Sequence, residues 1–122
     1  MSSTRFTQSD VNAFNARQNR AGLEQPFSDT SIESRLHEKI IDECERRGWL
    51  YLHGAMSKRT HRTAGEPDFL IYADKGRLFS VECKSASGKL SLEQSALIAH
   101  ASKLGHTVHV VRSMQQFLEL VR

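Results

Sequence analysis

The stretch Asp68-Phe69-Leu70-Ile71-Tyr72-Ala73-Asp74-Lys75-Gly76-Arg77-Leu78-Phe79-Ser80-Val81-Glu82-Cys83-Lys84 decides how the rest of the chain is read. Its two apolar runs have strand composition, and Ala73 to Arg77 between them carries the Asp and Gly of a tight hairpin turn. Side chains alternate along a strand, so Glu82 and Lys84 point to one face while Val81 and Cys83 point to the other. When the two strands pair, Asp68 lies across from Glu82 at the same end of the hairpin. Two carboxylates converging beside a lysine are what a hard divalent cation needs to activate water near a phosphate. Taken alone, these residues also describe a cross-strand salt-bridge cluster on a solvated face.

Upstream of the hairpin, residues 31 to 47 have helical periodicity and stop at Gly48, a natural C′ residue. Trp49 to His53 reads as a strand, and residues 54 to 66 as a loop. Downstream, Ser85 to Gly88 is a loop, Ser91 to Leu104 a helix ending at Gly105, Val108 to Val111 a buried strand, and Met114 to Val121 a short helix. The order αβββαβ predicts an α/β fold, a mixed sheet flanked by helices. The helix from Ser91 makes a parallel crossover. The helix from Ser31 is expected to share a sheet face with it. Residues 1–27 are polar. Ser9 and Asp10 can cap a short helix through Val11, Phe14 and Arg17 that Gly22 and Pro26 end, so this part is read as an N-terminal arm, flexible or ordered by a partner. Residues 28–122 form the single domain that a chain of 122 residues allows.

No apolar run approaches the roughly 18 residues of a membrane span, and the N-terminus has no signal-peptide core. A cytoplasmic protein, compatible with viral or bacterial origin and without a membrane partner, is expected. Cys44 and Cys83 lack metal-site spacing and fall on core faces, which predicts buried free thiols. A net charge of +3 permits a polyanionic partner without demanding one.

At roughly 100° per residue, Ile32, Leu36, Ile40 and Cys44 share a stripe, and Glu33 lies inside that apolar arc. A carboxylate facing the core needs a cation or a basic group beside it. Its other reading is a capping box with Thr30. Gln94 likewise falls on the side of Leu97, Ile98 and Ala101. It either closes a capping box with Ser91 or orients Lys84, a water or a substrate phosphate. His37, one turn after Glu33, either bonds to it or lines the cleft, against the reading of a partly exposed helix residue. Lys58, Arg59, His61 and Arg62, with the hydroxyls between them, are the best DNA-contact candidates, against an ordinary solvated loop. Lys89 and Lys103, with Arg17 and Arg20, extend that track. Trp49 and Tyr51 read as core and sheet-edge packing.

From Ile32 to Val121 the chain resembles the virus-type replication-repair nuclease domain (VRR-NUC), a branch of the PD-(D/E)xK nucleases. The matching features are Glu33 on the first helix, Gly65-x-Pro67-Asp68 and Glu82-x-Lys84. Gly88-Lys89, Ser91-x-x-Gln94 and Gly105 before an apolar strand follow in order. The resemblance implies a restriction-endonuclease-like core and a Mg²⁺- or Mn²⁺-dependent DNA endonuclease, a structure-specific, often dimeric enzyme of replication, repair or recombination acting on flaps or Holliday-type junctions. By position, Asp68, Glu82 and the Cys83 carbonyl would ligate the metal, with Glu33 completing the set directly or through water. Lys84 would hold or deprotonate the attacking water. Cys83 stands where Val or Ile is more usual, and Glu66 adds a carboxylate beside Asp68.

Two other function classes are open at this point. One is a DNA-binding module that keeps the nuclease fold without turnover. The other is an interaction protein in which the charged cluster is structural.

Overall fold

The hairpin forms the centre of the sheet. In a computed structural model of the chain, which describes residues 7–23, 32–54 and 63–122, β2 (Phe69–Tyr72) pairs antiparallel with β3 (Leu78–Cys83). Phe69 faces Val81 and Tyr72 faces Leu78. Lys75 and Gly76 turn the corner with φ of 57° and 70°, and Arg77 N donates to Asp74 O. Two consecutive left-handed residues closed by that bond make a type I′ turn, whose twist matches that of the flanking strands. The tight turn expected at Ala73 to Arg77 is therefore present.

β1 (Leu50–His53) adds antiparallel to β2, and β4 (Val108–Val111) adds parallel to β3. The result is a four-stranded mixed sheet in the order β1-β2-β3-β4, flanked by helices as the element order predicts. Pairing in register places Tyr51, Phe69, Ile71, Val81, Cys83 and Val111 on one face, all buried. α2 (Ile32–Arg47) covers that face with Leu36, Ile40, Ile41 and Cys44. α4 (Met114–Leu120), capped by Ser113, adds Phe117, and Val121 follows it into the same core. These side chains are 5 % exposed or less, and burying each stabilises the fold by about 1.5–3 kcal/mol for a Leu, Ile, Val or Phe.

Two expectations are corrected here. Ile32 is 62 % exposed rather than part of the buried stripe. A spacing of four residues overshoots one helical turn by about 40° per step. The buried set Leu36, His37, Ile40, Ile41 and Cys44 is centred further round, so position 32 has rotated out of it. The second correction concerns α3 (Leu92–Lys103), which does not share a face with α2. Gln94 of α3 bonds to Glu82, whose side chain lies on the face opposite Val81 and Cys83. α3 buries none of its residues fully, so its apolar pattern could not reveal which face it would cover.

The short helix expected near Val11 is α1 (Gln8–Leu23), and it docks on its own chain. The Asn15 side chain donates to Trp49 O at 2.7 Å and accepts from Tyr51 N at 3.4 Å, and Tyr51 Oη donates to Asn15 O at 2.9 Å. Trp49 O and Tyr51 N are main-chain groups at the outer edge of β1, where a further strand would otherwise pair. At the other end of α2, Gly48 takes φ +74°, with Gly48 N bonding Glu45 O and Trp49 N bonding Cys44 O. This Schellman stop aims the chain into β1.

Candidate active site

Four segments converge at one end of the sheet. Asp68 immediately precedes β2 and Glu82 lies in β3, one residue beyond the Phe69–Val81 pair. Their carboxyl groups are close enough to hydrogen-bond. Asp68 Oδ2 accepts from Cys83 N at 2.8 Å and lies 3.3 Å from His37 Nε2. Glu82 is 3 % exposed. Its Oε2 accepts from Gln94 Nε2 at 2.9 Å, while Oε1 is buried and receives no N–H donor. Glu33, from the first turn of α2, reaches the loop after β3, where its Oε1 accepts from Ser85 N at 3.2 Å.

The capping-box reading of Gln94 holds. Its Oε1 accepts from Ser91 N at 2.8 Å and its own N–H bonds to Ser91 Oγ, so the capping box is complete. The other end of the same amide holds Glu82. For Glu33, the capping box with Thr30 involves a residue outside those described. Lys84 follows β3 directly and its backbone N bonds Val111 O at 3.0 Å. Its positive charge is felt by Glu82.

Electrostatics divide the two central carboxyls. Burial pushes Glu82 up, the Asp68 charge and hydrogen bond push further, and Lys84 offsets only part, leaving it at about 8. Burial also penalises the Asp68 carboxylate. The His37 hydrogen bond and charge, the Cys83 N–H and the Glu82 hydrogen bond outweigh that, so Asp68 sits below its ordinary value. Near neutral pH the pair therefore keeps one proton, on Glu82.

Glycines give the site its close approaches. Gly65 takes φ +82°, and a Cβ there would lie 2.4 Å from Glu93 O, so the segment leading into Asp68 can rest on α3 only without a side chain. At Gly88 a Cβ would meet Ser85 Oγ at 2.8 Å and Glu33 Oε1 at 3.3 Å. Arg112 ties the Ser85–Gly88 loop down, its Nη1 donating to Ser85 O at 2.7 Å and Gly88 O at 2.6 Å. Nothing in the sequence pattern singled out Arg112.

The histidines carry the second contact that sequence reasoning missed. His37 is 3 % exposed, and its partners are Asp68 and His53, with Nδ1 2.9 Å from His53 Nε2. His53 in turn stacks on Phe69 at 4.5 Å between ring centroids. The only available signal was the placement of His37 one turn beyond Glu33, and His53 had none. His37, Asp68 and Cys83 bring one donor atom each within 4.8 Å of one another. The Cys83 thiol is itself pushed up by burial and by the Asp68, Glu82 and Glu33 charges.

A groove of about 430 Å³ opens from Asp68 along Leu52, Pro67, Leu70 and Ser80. The candidate DNA contacts Lys58, Arg59, His61 and Arg62 lie outside the described residues, between Gly54 on that groove and Thr63. Lys89 is exposed on the loop after Gly88. Among the described residues, no helix is long and apolar enough to cross a membrane.

No family model and no curated protein matches the chain. A solved structure described as "VRR_NUC domain" does, with a TM-score of 0.62 and 25 % sequence identity, over 75 % of this chain and 96 % of that one. The four-stranded mixed sheet flanked by helices is thus the nuclease-like fold that the motif order pointed to. The resemblance of this chain to the VRR-NUC domain holds in three dimensions as well as in sequence.

Proposed function

We infer that the chain is a Mg²⁺- or Mn²⁺-dependent DNA endonuclease, with preference for flapped or branched DNA in replication, repair or recombination. The observation that carries this reading is the Asp68–Glu82 pair, whose carboxyls meet at one end of the sheet with Glu82 buried. Ionising both carboxyls at once is costly at that depth. A divalent cation would compensate it and release the proton that the pair otherwise retains. The residues present therefore fit such an ion, with Asp68, Glu82, the Cys83 carbonyl and Glu33 as the groups that would hold it.

A bound cation supplies Lewis acidity at the phosphate and lowers the pKa of nearby water. The chain's own residues do the rest. Gln94 fixes the Glu82 carboxylate through its amide. His37 and the Cys83 N–H fix Asp68. Lys84 orients the attacking water and offsets charge accumulating on the phosphate. Lys89 and the basic residues at 58, 59, 61 and 62 hold flanking phosphates without reading sequence. The reading includes a homodimer, supported by the exposed apolar strip of Leu52, Tyr72 and Leu78 on the sheet. It also includes a cytoplasmic setting, supported by two buried free cysteines.

The test is a panel of single-stranded, duplex, flap and four-way DNA substrates incubated with Mn²⁺ or Mg²⁺. Cleavage is expected to need the cation and to fall by about 10²-fold or more in Asp68→Asn and Lys84→Ala. Salt-dependent DNA binding without cation-dependent cleavage would instead assign a recognition module on a nuclease fold.

A further inference from the structure

Resting on the reading of the site as a cation centre, we propose that His37 is itself a ligand, so that the site prefers Mn²⁺ to Mg²⁺. Two donors about 2.1 Å from one cation lie about 3.0 Å apart at the right angle of an octahedron and about 3.4 Å apart in a tetrahedron. His37 Nε2 and Asp68 Oδ2 are 3.3 Å apart. One ion can therefore touch both without the helix or the hairpin moving.

The environment of the ring supports the assignment. His37 is buried, so its nitrogens need defined partners. With no cation and a neutral His37, the geometry allows a continuous chain from His53 Nε2–H to His37 Nδ1, and from His37 Nε2–H to Asp68. With a cation, the same 2.9 Å contact reverses. His37 Nδ1–H then donates to His53 Nε2, and the His37 Nε2 lone pair is free to coordinate. A ligating histidine characteristically gives its other N–H to such an outer partner, which fixes the tautomer and the ring plane. His53 is held for that task by stacking on Phe69 and by its edge contact with the His37 ring.

The Asp68–Glu82 pair, with Glu82 3 % exposed, supplies a second sign that an ion belongs at this end of the sheet. Nitrogen in the donor set decides which ion. Mg²⁺ takes oxygen ligands almost exclusively, whereas first-row transition cations accept imidazole, Mn²⁺ being the hardest of them.

The experiment is pulsed electron paramagnetic resonance of the full-length wild-type protein loaded with Mn²⁺, beside calorimetric titrations with Mn²⁺ and with Mg²⁺, repeated on His37→Gln. Nitrogen hyperfine coupling is expected in the wild-type spectrum and its loss in the variant. The Mn²⁺ affinity of His37→Gln should fall by roughly 10–100-fold, with a much smaller change for Mg²⁺. Bound Mn²⁺ without nitrogen coupling in the wild type overturns the inference whether or not the variant folds, and leaves the nuclease reading standing. Coupling that survives in His37→Gln also overturns it. If neither cation binds the wild-type protein at millimolar concentration, the cation centre and the inference fall together.

Discussion

Gln94 joins α3 to Glu82 through a single amide: its oxygen accepts from Ser91 N while its nitrogen donates to Glu82 Oε2 at 2.9 Å. The helix cap and the carboxylate are thus set by the same side chain. Ser91→Ala and Gln94→Ala both open the capping box and should each cost about 1 kcal/mol of stability. Only Gln94→Ala releases Glu82. Cleavage by Ser91→Ala should stay near wild type, while Gln94→Ala loses about tenfold or more in kcat. Denaturant melts run beside single-turnover kinetics separate the two effects.

The proton on Glu82 makes the metal-free protein pH-sensitive in a direction opposite to that of an ordinary surface carboxylate. Its folded value near 8 stands above its ordinary 4.5. The stability it contributes is therefore fully present below pH 4.5 and is lost as pH rises through 8. The loss is on the order of a few kcal/mol. Asp68 acts on the acid side: its value is depressed, so its contribution is present above 3.8 and lost as pH falls through the folded value. With a chelator present, the melting temperature should decline from pH 5 to pH 8.5. The increment produced by Mn²⁺ should grow over the same interval, because the cation needs the ionised carboxylate. Glu82→Gln should flatten both trends in differential scanning fluorimetry.

Gly65 and Gly76 share a left-handed φ but not a neighbourhood. A Cβ at Gly76 meets nothing within 4 Å, whereas one at Gly65 runs into the Glu93 carbonyl at 2.4 Å. Gly76→Ala should cost about 1 kcal/mol, the conformational penalty alone. Gly65→Ala should cost about 2 kcal/mol or more and displace Asp68. Urea unfolding gives the stabilities, and Mn²⁺ titration should weaken only for Gly65→Ala.

Arg112 holds the loop that follows Lys84 by two carbonyls. Removing it leaves both acceptors short of a charged donor, at about 1.5–3 kcal/mol per bond lost. Arg112→Ala should reduce kcat through misplacement of Lys84 and Glu33 while leaving Asp68 intact. Hydrogen exchange at the Ser85 and Gly88 amides should quicken, and Arg112→Lys should restore only part of the rate, since one ammonium is a poor substitute for a guanidinium fork.

The hairpin, its turn and the stops at Gly48 and Gly105 were legible because each is a local rule, written within a few residues. The placement of Asp68 across from Glu82 followed from strand alternation, and the Ser91–Gln94 cap from a four-residue signature, whereas the bond from Gln94 to Glu82 had no local sign. The face chosen by α3 was not legible, since Leu97, Ile98 and Ala101 make too weak a stripe to distinguish the two sides of the sheet. His37, His53 and Arg112 were hidden for a different reason. Their partners are distant in the chain, and a lone side chain that bonds across three elements leaves no period to detect.

Asn15 has a consequence for how copies of this chain can meet. By occupying the main-chain groups of Trp49 and Tyr51 it stands in for a fifth strand, so the sheet terminates there by chemistry and not merely by length. Two protomers cannot zip together along that border unless α1 first peels away, which turns strand exchange from an encounter-limited event into one gated by helix detachment. Fragments that begin beyond residue 23 would lack that gate.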